Sequence, residues 1–136
     1  WPTDDERPGP RCYCGRRGCI ETFLSGPGLA ADYPGGAAVT AHQVADRAAT
    51  GEASATACLQ RYEDRLARSL ATVINLLDPE VIVLGGGLSK IQRLYRNVPQ
   101  LWGRYVFSDV VRTRLVPPRH GDSSGVRGAA WLWPPD

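Results

Sequence analysis

No methionine occurs in these 136 residues, and histidine and phenylalanine occur only twice each. The chain opens on Trp1-Pro2 in the run WPTDDERPGP, which reads as the interior of a loop. That opening is what a C-terminal piece of a longer protein would show, with partners of some residues lying upstream. No apolar run approaches the roughly 20 residues of a membrane-spanning helix, and no basic-then-apolar leader is visible. A cytoplasmic protein with no membrane partner is therefore expected. Charge of one sign is also missing: the net of +2 gives little footing for nucleic acid. Internal repeats and low-complexity tracts are absent as well. What remains is a globular composition, 43% hydrophobic and 22% charged, in one domain's length. Such a length buries about two-thirds of its unfolded surface.

Turn residues and periodicity divide the chain. Prolines and glycines keep residues 1–18 in a loop. Cys19 to Leu24 reads as a short helix ended by Ser25-Gly26-Pro27-Gly28, and LAADY as one more helical turn. Thr40 and Gln43 form a capping-box pattern for a helix ending near Gly51. From about 52 to 77, apolar residues recur at Leu59, Tyr62, Leu66, Leu70, Val73, Ile74 and Leu77, the stripe of a long buried helix. Asp78-Pro79 ends it. Val81 to Leu84 is a short β-branched run before three glycines, which predicts a strand buried on both faces. Leu88 to roughly Tyr105 reads as a helix broken or kinked at Pro99, and VVRTRLVPP as a second strand. A last helix is expected over about 124–133, capped by Asp122 or Ser123. Alternating helices and strands give an α/β class.

Three of the four cysteines, Cys12, Cys14 and Cys19, fall within eight residues. The spacing C-x-C-x4-C, with Gly15 and Gly18 to curl the backbone, suits a tetrahedral zinc ion. A disulfide or a set of free thiols remains the rival reading. Arg11, Arg16 and Arg17 are expected to lower the thiolate pKa. A fourth ligand is needed; His42 and His120 are the candidates inside the chain, and each is more readily a surface or core-edge histidine. The arginines also admit a small zinc-dependent nucleic-acid module, for which the weak net charge gives little support. Cys58 lies alone in an apolar helical pattern and reads as a small core residue. Gly85, Gly86 and Gly87 sit at the carboxyl end of the predicted strand, where α/β sheets bind ligands. They match neither a phosphate-binding loop nor the dinucleotide fingerprint, and a plain turn is the bland alternative.

Together these stretches resemble one family. CYCGRRGCIETFLSG is similar to the zinc signature of the ROK family of bacterial sugar kinases and repressors. INLLDPEVIVLGGGLS and HGDSSGVRGAAWLW resemble two further signatures of that family, in the same order. The resemblance implies the C-terminal lobe of an actin-like ATPase (ribonuclease H-like) fold with a zinc-binding loop at 10–20, the N-terminal lobe being absent. It implies structural Zn²⁺ on Cys12, Cys14 and Cys19, with a histidine upstream as fourth ligand. Glu21 would hydrogen-bond sugar hydroxyls, and Gly85, Gly86 and Gly87 would line the adenosine end of ATP, with Mg²⁺ accompanying the ATP. The catalytic aspartate is expected upstream of Trp1, so no residue of this chain is assigned that role, Asp78 and Asp122 belonging to other signatures. LWGRYVF and the C-terminal stretch look most like the fructokinase (manno-fructokinase) branch, with the N-acetylglucosamine kinase branch next. A sugar-sensing repressor is the alternative from a different class. The implied partners are a hexose and ATP, with a homodimer in the intact protein. Leu94 to Phe107 is a candidate interface that reads more readily as core.

Overall fold

The computed structural model describes residues 1–132. Its elements are α1 (Gly26–Asp32), α2 (Ala41–Ala49), α3 (Ala53–Leu77), β1 (Val81–Val83), α4 (Gln92–Leu101), β2 (Arg114–Val116) and α5 (Ser124–Ala130), joined by 3-10 turns. The Asp122 side chain and the expected end of the last helix at 133 lie outside the described residues.

Helix α3 is the spine. Its side chains at three- and four-residue steps reach α2 on one flank and α4 on the other. Leu59, Tyr62, Leu66 and Ile74 are buried along it, and Ala55, Cys58, Ala67 and Ala71 let neighbouring helices approach closely. Leu29 from α1, Val44 from α2 and Leu94, Val98 and Trp102 from the α4 region complete one core. Cys58 is fully buried there, and burial pushes its thiol pKa up to about 11. Between α3 and α4, the buried Glu63 carboxylate accepts Arg93 Nη2 at 3.1 Å and Asn97 Nδ2 at 3.0 Å. Removing one partner of so enclosed a pair would cost about 3–5 kcal/mol.

Strands β1 and β2 pair in parallel, Val81 opposite Arg114 and Val83 opposite Val116. Asp78, in the left-handed conformation at φ 42°, turns the chain from α3 into β1. Among the described residues no helix is long and apolar enough to cross a membrane.

Five local expectations need correction. Ser25-Gly26-Pro27-Gly28 starts a helix instead of ending one: the Ser25 hydroxyl accepts the Gly28 N–H at 3.1 Å, and proline in a first turn has no hydrogen bond to lose. The preceding segment is only a 3-10 turn, Ile20–Thr22. Strand β1 is not buried on both faces, since Val83 is 56% exposed while Ile82 packs on the core. Helices cover one face of this two-stranded sheet, so alternate residues of the apolar run face outward. The α3 stripe also fails toward its end, leaving Val73 37% and Leu77 73% exposed. Pro99 sits inside α4 without ending it. Val98 and Trp102, both buried, hold the turns on either side against the loss of one backbone bond. The burial of Leu94, Val98 and Trp102 places most of the candidate interface in the core, with Phe107 outside it.

Candidate functional site

The thiol loop is a hairpin built by two glycines. Cys12 N–H donates to the Arg16 carbonyl at 2.8 Å, Gly15 N–H to the Cys12 carbonyl at 3.0 Å, and Arg11 bridges Arg17 in antiparallel fashion. Gly15 at φ +85° and Gly18 at φ +67° occupy backbone that L side chains rarely adopt. The curl gathers the sulfurs of Cys12, Cys14 and Cys19 within 4.8 Å of one another. Cys14 Sγ lies 3.6 Å from Cys19 Sγ, far beyond the ~2.05 Å of a disulfide. Tetrahedral zinc with bonds of about 2.3 Å would separate its sulfurs by roughly 3.8 Å. The donor set therefore fits three corners of such a site. Among the described residues no histidine, cysteine or carboxylate joins them as a fourth ligand. His42 stands beside Gly87 and His120 precedes the 3-10 turn Gly121–Ser123.

The sulfurs perturb one another. The Arg16 backbone N–H, followed by hydrogen bonds from its neighbours, holds the Cys14 thiol below its ordinary value. Cys19 is pushed up to about 11, first by its hydrogen bond with Cys14. The expected lowering by arginine charges is replaced by a backbone effect, because an exposed guanidinium in water acts weakly on a neighbour.

Glu21 projects from the Ile20–Thr22 turn, exposed, into a cleft of about 420 Å³ that Cys12, Tyr13, Ser25 and Arg65 also line. Among the described residues its carboxylate has no hydrogen-bond or ion-pair partner. Asp32, in the same cleft, is committed to Arg61 at 2.9 Å and Arg65 at 3.2 Å. The turn that carries Glu21 is fixed from below. Thr22 Oγ1 donates to the Cys19 carbonyl at 2.6 Å, and the Phe23 ring is buried under Arg65, whose Cζ lies 5.1 Å from the ring centroid. Arg65 Nε in turn donates to Glu6 at 2.6 Å, and Arg68 Nη2 reaches the same carboxylate at 3.0 Å. Burial alone would raise the Glu6 pKa. Hydrogen bonds from Arg65, Thr3 and Arg68 outweigh it and bring it down to about 2. A Cβ on Gly28 would meet the Thr22 carbonyl oxygen at 2.6 Å, so only glycine lets α1 start against this turn.

The glycine turn lies on a second cleft of about 280 Å³, bordered by Leu24, Ser25, Tyr62, Leu66 and Leu94. Gly86 has φ +74°. Ser89, nearly buried, braces it by donating Oγ–H to the Gly86 carbonyl at 2.6 Å, and Tyr95 O–H donates to the Ser89 carbonyl at 2.7 Å. A Cβ on Gly85 or Gly86 would meet nothing within 4 Å, so the backbone there is open to an incoming molecule.

The predicted site residues thus fall in two groups. Cys12 and Glu21 line one cleft, Gly85, Gly86 and Gly87 line another, and Ser25 borders both. Sequence reasoning missed Glu6, Arg65, Ser89 and Tyr95. Arg65 sits off the apolar stripe and finds its partner 59 residues away, so no local signal marks it. Ser89, two residues after the glycines, is the one that turn chemistry offered.

The ROK family profile matches residues 3–135. Among curated relatives, the N-acetyl-D-glucosamine kinase of Photobacterium profundum is 40% identical over 123 residues, covering 89% of this chain and 41% of the relative. That of Vibrio parahaemolyticus is 37% identical over the same shares. The chain thus spans about two-fifths of the length of these relatives. Among solved structures, a ROK family glucokinase from Streptomyces griseus, in complex with glucose and AMPPNP, superposes with TM-score 0.78 at 22% identity over 91% of this chain and 47% of its own. ROK hexokinase from Thermus thermophilus gives 0.74 at 27% identity, covering 90% and 44%. A ROK family transcriptional regulator, a homolog of the E. coli MLC protein, gives 0.66 at 26%, covering 82% and 32%.

Proposed function

The chain belongs to the ROK family, and on that premise we propose that it forms the C-terminal lobe of a cytoplasmic kinase that transfers a phosphoryl group from ATP to a hexose or N-acetylhexosamine. The observation that carries the reading is the cleft in which the unpaired Glu21 carboxylate stands next to a thiol cluster of zinc geometry. In this reading Glu21 accepts hydrogen bonds from neighbouring sugar hydroxyls, which a carboxylate does through two oxygens. Cys12, Cys14 and Cys19 hold a structural zinc ion whose chemistry is to fix the loop. Gly85, Gly86 and Gly87 let the adenosine end of ATP approach the backbone. The base that takes the proton from the attacking hydroxyl, and the groups that hold Mg²⁺ and the γ-phosphate, belong to a segment outside this chain. The isolated chain is then inactive, and the whole protein is a homodimer.

The relatives named above are N-acetylglucosamine kinases, so N-acetylglucosamine replaces fructose as the leading acceptor. Fructose, favoured by the endings LWGRYVF and HGDSSGVRGAAWLW, takes second place. The test is ADP release by the full-length gene product with Mg-ATP against N-acetylglucosamine, glucose, mannose and fructose. Turnover with at least one of them, lost in Glu21→Ala through a raised sugar KM, supports the reading. No turnover with any sugar, together with sugar-dependent binding to DNA, would replace it with a sugar-sensing regulator. The likeness to the transcriptional regulator favours that second reading.

A further inference from the structure

Tyr13 is the middle residue of Cys12-Tyr13-Cys14, at the tip of the thiol hairpin. It is 91% exposed, and among the described residues its hydroxyl has no hydrogen-bond partner. It has no place in the core, so stability does not explain it. Yet it lines the same cleft as Glu21, in company with the apolar Pro10 and Pro27.

A hexose in pyranose form has a polar rim of hydroxyls and a flatter face of C–H bonds. Glu21 reads hydroxyls, which every hexose offers. Reading the face takes an apolar surface, and an aromatic ring, with its electron-rich face, attracts polarised C–H bonds. Binding clefts of this size combine such a surface with a few placed polar groups. We propose that Tyr13 is a sugar-contacting residue whose ring takes the C–H face of a pyranose while Glu21 takes its hydroxyls. The inference rests on the sugar-kinase reading. Its position suits the role for a second reason. The thiols on either side converge on one point, so a metal held there fixes the backbone of residue 13 from both directions. A backbone fixed in advance leaves less freedom to lose when the sugar arrives.

The test is calorimetry on the zinc-loaded full-length protein with N-acetylglucosamine and glucose, comparing the native protein, Tyr13→Ala and Tyr13→Phe. Zinc content and Tm are measured beside each. The expected result is about tenfold weaker binding in Tyr13→Ala, binding within about twofold of native in Tyr13→Phe, and unchanged zinc and Tm. Native-like binding by Tyr13→Ala overturns the inference and leaves the sugar-kinase reading intact. A loss of zinc in Tyr13→Ala that parallels the loss of binding also overturns it, by assigning the effect to the metal clasp. A native protein that binds neither sugar overturns the inference, and one that also binds neither mannose nor fructose overturns the sugar-kinase reading with it.

Discussion

A Cβ placed on Gly9 would stand 2.6 Å from the Cα of Gly18. The segment that enters the thiol hairpin therefore touches the segment that leaves it, backbone to backbone. Gly9 also has φ +76°, where a side chain is strained. Gly9→Ala is expected to cost about 2–4 kcal/mol from overpacking and backbone strain together. It should also lower zinc affinity, because Cys12 and Cys19 lie on the two segments pushed apart. Denaturant unfolding and a zinc titration with a colorimetric competitor would check both; a native-like titration would show that the clasp does not depend on this contact.

The four thiols should react in a defined order. Cys14 is exposed and its pKa is lowered by the Arg16 N–H. Cys58 is fully enclosed, with its pKa up at about 11. Iodoacetamide at neutral pH, read by mass spectrometry, should label Cys14 first in metal-free protein and Cys58 only on unfolding. Added zinc should protect the three loop cysteines together. Labelling of Cys14 at the same rate with and without zinc would remove it from the ligand set.

Acid should loosen the base of the cleft that Glu21 lines. Glu6 has a folded pKa of about 2 against an ordinary value of 4.5. A depressed carboxylate pKa contributes stability that is present above the unfolded value and is lost as pH falls through the folded one. The loss is therefore expected between about pH 4.5 and 2, on the order of 3 kcal/mol. In Glu6→Gln that stretch of the stability profile should flatten, and the neutral-pH stability should already be lower. An unaltered acid limb would assign the transition to other carboxylates.

On the function proposed above, Gly86→Ala at the second cleft should disturb nucleotide without disturbing sugar. Its φ of +74° is costly for any residue with a Cβ, by about 1–3 kcal/mol. Ser89 and Tyr95 hold the turn in place, so the strain is not easily relieved. In the full-length protein the KM for ATP should rise severalfold while calorimetric sugar affinity stays within about twofold. Equal losses on both sides would mean that the turn supports the fold as a whole.

Where a local pattern and its burial coincide, the sequence was a good guide. The capping box at Thr40 begins α2 where expected, and the apolar steps from Leu59 to Ile74 trace α3. Spacing also brought the three thiols together on paper before the hairpin did so in space. Reading failed where the answer depended on what lies across the fold. Val81 and Val83 carry the signature of a doubly buried strand, but burial is decided by the layer opposite, which periodicity cannot report. Ser25 to Gly28 holds both start and stop signals for a helix, and its meaning turns on packing against Thr22 and Phe23. The support beneath Glu21 was invisible because Glu6 and Arg65 belong to distant segments.

That last distance sets an order of events. Seating Glu6 on Arg65 closes a loop of 59 residues, whereas α2 and α3 meet across a short turn at Gly51. Closure entropy rises with loop length, and contacts between distant segments form after local ones. The helical core is therefore expected to assemble first, with the segment before α1 laid over it afterwards, carrying the thiol loop with it. Unfolding retraces the route, so backbone amides of the thiol loop should exchange with solvent hydrogen faster than those of α3.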